Sequence, residues 1–147
     1  MRKVEWKFVD DGKAAKRLNT TKEFYDEYHA LFDGLTQEEF YVFFMDATNV
    51  CIGYERVAKG ILASVWTHSR EVFRSAIVSS CHHVIIAHNH PSGFVELNSD
   101  DYELTKSLVL SGKLLGIQVV DSVIFGYETY YSFLEQGILD KILDENS

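Results

Sequence analysis

One stretch narrows the folds open to this chain: Ile85-Ile86-Ala87-His88-Asn89-His90-Pro91-Ser92-Gly93, followed by Asn98-Ser99-Asp100-Asp101. An apolar run ending in two histidines reads as a buried strand, Pro-Ser-Gly as a turn, and the acidic cluster as the start of a helix. Residues i and i+2 of an extended chain share a face, so the imidazoles of His88 and His90 converge on one point. A carboxylate from the following helix, Asp100 or Asp101, can close the third side. Two nitrogen ligands and one oxygen ligand, with a position left for water, form the donor set of a catalytic zinc site. Acidic residues in a first helical turn also complement the helix dipole, so spacing alone does not choose between the two aspartates.

Strand and helix patterns alternate along the rest of the chain. Val4, Trp6 and Phe8 alternate with charged residues, which predicts a half-buried strand. Thr20 with Glu23 fits a capping box, and the spacing of Phe24, Tyr25, Tyr28, Leu31 and Phe32 predicts a helix over about 21–32. Phe40 to Met45 is an unbroken apolar run, expected as a strand buried on both faces, and Val50 to Val57 as its hairpin partner. Ser69 is expected to cap a helix that buries Val72, Phe73, Ala76 and Ile77. After the strand His82 to His88 comes a helix carrying Leu104, Leu108, Leu114 and Leu115. Strands follow over Ile117 to Phe125 and Glu128 to Tyr131, and Leu134 to Ser147 is either a docked helix or a frayed tail. Interleaving of this kind indicates an α/β layered domain with a central mixed β-sheet flanked by helices.

Composition limits the partners. A chain of 147 residues with 10 Phe, 8 Tyr and 2 Trp supports one sizeable core. Its net charge of −8 argues against gripping nucleic acid, which needs clustered cations; Lys13, Lys16 and Arg17 read more simply as a solvated segment. Neither a transmembrane run nor a signal-peptide core is visible, and Cys51 and Cys81 stand apart. The expectation is a cytoplasmic protein without a membrane partner. Oligomeric state is open, although the aromatic edge Tyr127 to Tyr131 offers a surface for a second chain.

Other zinc chemistries lack their parts. No His-Glu-x-x-His helix is present, and the His-x-Glu and Pro-Cys-x-x-Cys pieces of a zinc deaminase are missing. His82 and His83 are adjacent, so their rings leave a strand on opposite faces; with His68 and His29 they read as structural residues. A hydrolytic zinc site also needs a base within reach of the attacking water. Glu38 and Glu39 precede the buried strand, where a solvated strand edge is the simpler reading of both.

His-Asn-His-Pro-Ser-Gly from His88 to Gly93, followed by Asp101, resembles the JAMM (MPN-plus, or JAB) metalloprotease motif, and in detail its RadC-like branch. Ser69-Arg70-Glu71-Val72-Phe73-Arg74, Leu114-Leu115-Gly116-Ile117, Asp121 and Ile124-Phe125-Gly126 extend the likeness over roughly Thr20 to Leu139. The resemblance implies a cytidine-deaminase-like fold in a single domain over residues 1–147: an N-terminal extension over 1–19, the family core over 20–139 and a tail over 140–147. It implies one zinc ion on His88, His90 and Asp101, with Glu39 matching the family's base and Glu38 the fallback. The implied reaction is hydrolysis of a peptide or isopeptide-like amide in an unidentified peptide or protein substrate. A zinc-stabilised interaction module and a DNA-repair accessory protein are the alternatives; the family's DNA-repair name says little about the reaction. Three departures stand out. Asn98 replaces the serine that helps hold the oxyanion, with Ser99 one residue out of register. Ser122 stands where RadC proteins usually carry histidine. The helix-hairpin-helix segment that precedes full-length RadC domains is not expected here.

Overall fold

A computed structural model describes residues 1–60 and 65–147, without the side chains of residues 65–68. Among the described residues, five strands form one mixed sheet in the order β2-β1-β3-β4-β5: β1 (Glu39–Met45), β2 (Cys51–Lys59), β3 (His83–Asn89), β4 (Gln118–Gly126) and β5 (Thr129–Ser132). Only β3 and β4 run parallel, joined by the long helix α3 (Ser99–Leu115); the other neighbours are antiparallel. One face of the sheet carries α2 (Val65–Val78), α3 and α4 (Ile138–Glu145), and the other carries α1 (Thr21–Tyr28), extended by a 3-10 turn over His29–Leu31. This is the expected layered α/β fold.

Strand alternation sorts the core into two halves. Phe40, Val42 and Phe44 with Val84 and Ile86 pack under Val72, Phe73, Leu104 and Leu108. Phe43 and Met45 with Ile85 and Ala87 meet Phe24 and Phe32 on the other side, where the Phe24 and Phe43 rings meet edge-on at 4.9 Å. The C-terminal segment resolves as a docked helix, α4, which buries Leu139 and Ile142.

The N-terminal alternation does not make a strand. Val4 and Phe8 are exposed, and Trp6 is half-buried, with its Nε1 3.4 Å from Ser75 Oγ. An alternating segment becomes a strand only where a sheet edge accepts it, and the chain reaches one later, at the Arg17–Val50 bridge. Ser69 lies inside α2, which begins at Val65, so it does not hold the N-cap position expected of it; the side chain of His68 lies outside the described residues. Ile77, Leu114 and Leu115 are exposed, each falling off the buried stripe of its helix. Among the described residues no helix is long and apolar enough to cross a membrane.

Candidate metal centre

The site forms where β3 ends. His90 N donates to Phe125 O at 3.0 Å, which keeps the chain beside β4 for one residue past the strand. The chain then folds back: Gly93 N donates to His90 O at 2.9 Å, and Tyr127 N to Gly93 O at 3.0 Å. Two glycines permit this closeness. Gly93 has φ +87°, where an L side chain is strained, and a Cβ on Gly126 would lie 2.4 Å from Gly93 O.

Asp101 arrives from the first turn of α3, already oriented. Asn98 is the N-cap, its Oδ1 accepting from Asp101 N at 2.8 Å, while Asp101 Oδ2 accepts from Asn98 N at 3.3 Å. This reciprocal capping box fixes the carboxylate and turns Oδ1 towards His88, whose Nε2 lies 2.9 Å away. His90 Nε2 lies 3.1 Å from Asp101 Oδ2. Asp100, one residue earlier, is exposed and outside the cluster.

The donor set fits a metal ion. His88, His90 and Asp101 each offer a ligand atom, all within 4.8 Å of one another. His90 Nδ1 bonds the carbonyl oxygen of Phe94 at 2.9 Å, which leaves Nε2 bare, and that atom is buried without a hydrogen-bond partner. Fixing one ring nitrogen to present the other is how metal-binding histidines are held. Burial pushes the Asp101 carboxyl upward, but the two imidazoles outweigh it and hold the group below the usual carboxylate range. The Asp101 carboxylate in turn raises the His90 pKa against burial, with smaller contributions from Phe94 and the charge of Glu38.

The two glutamates part company. Glu39 is buried, but its carboxylate faces Tyr41 and Arg56, each 3.4 Å away, on the α1 side of the sheet. Burial and then the Glu39 charge raise the Tyr41 phenol pKa. The Glu39 carboxylate is therefore turned away from the His88–His90–Asp101 group. Glu38, one residue earlier, has the parity of Phe40, which registers with His88, and its charge reaches His90. A strand buried on both faces gives no parity signal in the sequence, so Glu38 and Glu39 look alike there.

Asn98 is exposed, and with Oδ1 committed to the cap its Nδ2 has no acceptor among the described residues. Ser99 opens α3, also exposed. Ser122 is buried and its hydroxyl pairs with Thr105 Oγ1 at 2.9 Å, tying β4 to α3 one turn after Asp101. The Asn98-to-Asp101 spacing is itself the capping-box signal in the sequence, beyond the helix dipole that favours either aspartate.

A family model described as the RadC-like JAB domain matches residues 18–138. The chain belongs to that family. A UPF0758 protein of Symbiobacterium thermophilum is 44% identical over 105 residues, covering 71% of this chain and 45% of that protein. One from Staphylococcus haemolyticus is 45% identical over 106 residues, covering 72% and 46%. A third, from Staphylococcus carnosus, is 35% identical over 133 residues, or 90% of this chain and 59% of its own. The chain thus spans about half the length of the curated relatives it matches.

Proposed function

We propose that this RadC-like JAB domain is a zinc-dependent hydrolase of the JAMM type, acting on a peptide or isopeptide-like amide of a protein substrate. The observation that carries the reading is the buried, unpartnered Nε2 of His90 beside Asp101 and His88. A buried polar atom without a partner is costly, and an ion on the three groups removes that cost. His88, His90 and Asp101 would hold the ion, which would supply Lewis acidity and make water more acidic.

The chain's own residues divide the remaining work. The Glu38 carboxylate accepts the proton of the attacking water and returns it to the leaving amine. Its parity with Phe40 and its effect on His90 support this role over one for Glu39, whose carboxylate faces Tyr41 and Arg56. Asn98 donates through Nδ2 to the carbonyl oxygen as negative charge develops there, in place of the family serine. Ser99 is the neighbouring hydroxyl and needs a one-residue shift to serve.

The test pairs metal analysis with hydrolysis of peptide and isopeptide libraries. About one zinc per chain is expected, with turnover reduced roughly 10²–10⁴-fold by Glu38→Gln at unchanged zinc content. A protein that takes up no zinc after non-chelating purification overturns the reading. Full zinc without turnover on any library would instead favour the zinc-stabilised interaction module.

A further inference from the structure

Asn89 stands between the two histidines and faces the other way. It is 3% exposed, and both ends of its side-chain amide are engaged by backbone fifty residues away in sequence. Oδ1 accepts from Glu39 N at 2.7 Å, and Nδ2 donates to Gln37 O at 3.0 Å. Those two backbone groups flank Glu38. The registered pairing of β1 with β3 ends at Phe40 and His88, so beyond that pair the Asn89 amide links the two chains in place of backbone. From the opposite side Gly60 N donates to Glu38 O at 2.8 Å. The backbone around Glu38 is thus held from both neighbouring strands, with its side chain left to project.

We infer that Asn89 is a positioning residue: it clamps the backbone on both sides of Glu38 and so presents that carboxylate to the His88–His90–Asp101 group. A primary amide carries an acceptor and a donor on one rigid plane, which lets one side chain bond an N–H and a C=O two residues apart. Aspartate keeps the acceptor and loses the donor; alanine loses both. The two histidines and the amide alternate along one strand, so a single tripeptide presents two ligands on one face and the clamp on the other. The inference rests on the reading of Glu38 as the base, and its test separates the two.

In the full chain with zinc, Asn89→Ala is expected to speed amide hydrogen exchange at Glu39 about tenfold or more, with Val42 and Ile86 unchanged. Zinc stoichiometry should stay as in the wild type. The carbon-13 shift of the Glu38 carboxyl should respond to zinc in the wild type and respond less in the variant. On a turned-over substrate kcat should fall about 10²-fold at similar KM, the cost of a reacting group displaced by about 1 Å. Adding Asn89→Ala to Glu38→Gln should then cost nothing further. Should Asn89→Ala not fold, Asn89→Asp is expected to keep Glu39 protected and still lose the Glu38 response. Unchanged exchange at Glu39, or an unchanged Glu38 response to zinc in the variant, overturns the inference. Zinc lost in proportion to activity does so too. Absence of turnover in the wild type defeats the hydrolase reading alone, because exchange and the carboxyl shift still decide the clamp.

Discussion

Asp101 and Asp121 are both aspartates of the family pattern, 5% and 3% exposed, on opposite faces of one sheet, and they have opposite surroundings. Asp121 has a donor for every direction. Oδ2 accepts from Thr21 Oγ1 and Ser132 Oγ, both at 2.7 Å, and Oδ1 from Ser122 N at 2.7 Å and Leu134 N at 3.1 Å. It fastens the start of α1 to β4, β5 and the turn after β5. Burial pushes its pKa up and prevails over those four bonds. Around Asp101 the neighbours keep unused capacity, since His88 Nδ1 and His90 Nε2 are both buried without hydrogen-bond partners. A buried carboxylate by itself therefore says little about function. What separates a fastener from a ligand is whether the polar atoms around it are all spent.

The largest effect that sharpens this contrast is linkage to zinc. At free zinc a thousandfold above its dissociation constant, the wild type should gain about 4 kcal/mol of stability. Urea unfolding with and without zinc measures it. Asp101→Ala should remove that increment, and Asp121→Asn should keep it at a lower baseline. A zinc increment that vanishes with Asp121 and survives without Asp101 would reverse the assignment. Next in size is the fastener itself. Without zinc, Asp121→Ala removes the acceptor of three buried donors and of the half-buried Leu134 N–H and should cost roughly 3 kcal/mol, more than Asp101→Ala under the same conditions.

Legibility in the sequence followed the range of the interaction. The α1 cap, the β1–β2 hairpin and the strand–turn–helix around the histidines depend on contacts a few residues apart, and each was readable. Resemblance to the JAMM motif singled out Asp101 where spacing left two candidates, and the capping box supplies the physical reason: the third residue of the helix, not the second, turns back towards β3. Features that depend on distant chain were hidden. Val4 to Phe8 carries a strand pattern and finds no partner strand among the described residues. Asn89 reads as a spacer between two ligands, because its bonds to Gln37 and Glu39 exist only once β1 lies beside β3. Which face of the sheet Glu38 and Glu39 each take likewise depends on parity against Phe40, set only once β1 pairs with β3.

Asn98 tests whether capping and chemistry share one side chain. Asn98→Ala should cost about 1 kcal/mol as a lost N-cap. It should also lower turnover by about 10²-fold if Nδ2 supports the developing oxyanion. Asn98→Ser should keep the cap within a few tenths of a kcal/mol and restore turnover, because a hydroxyl both accepts from Asp101 N and donates outward. Alanine and serine variants with equal turnover would confine Asn98 to the cap and place it with Asp121 among the fasteners.

Glu39 should give the smallest change, and it probes the contrast from a third buried carboxylate. It is 6% exposed, yet its two charged or hydroxyl contacts are long, 3.4 Å each, and Arg56 is half-exposed. A long pair with one partner in solvent is worth about 0.5 kcal/mol, so Glu39→Gln should shift urea unfolding by little more than that. The amide still accepts from Tyr41, and the Asn89 bond to Glu39 N involves backbone, so neither the strand nor the clamp is disturbed. Zinc linkage and turnover should both match the wild type. The informative opposite is Glu39→Gln abolishing turnover while Glu38→Gln does not: the reacting carboxylate would then lie on the face of Asp121, and strand parity would no longer separate the site from the scaffold.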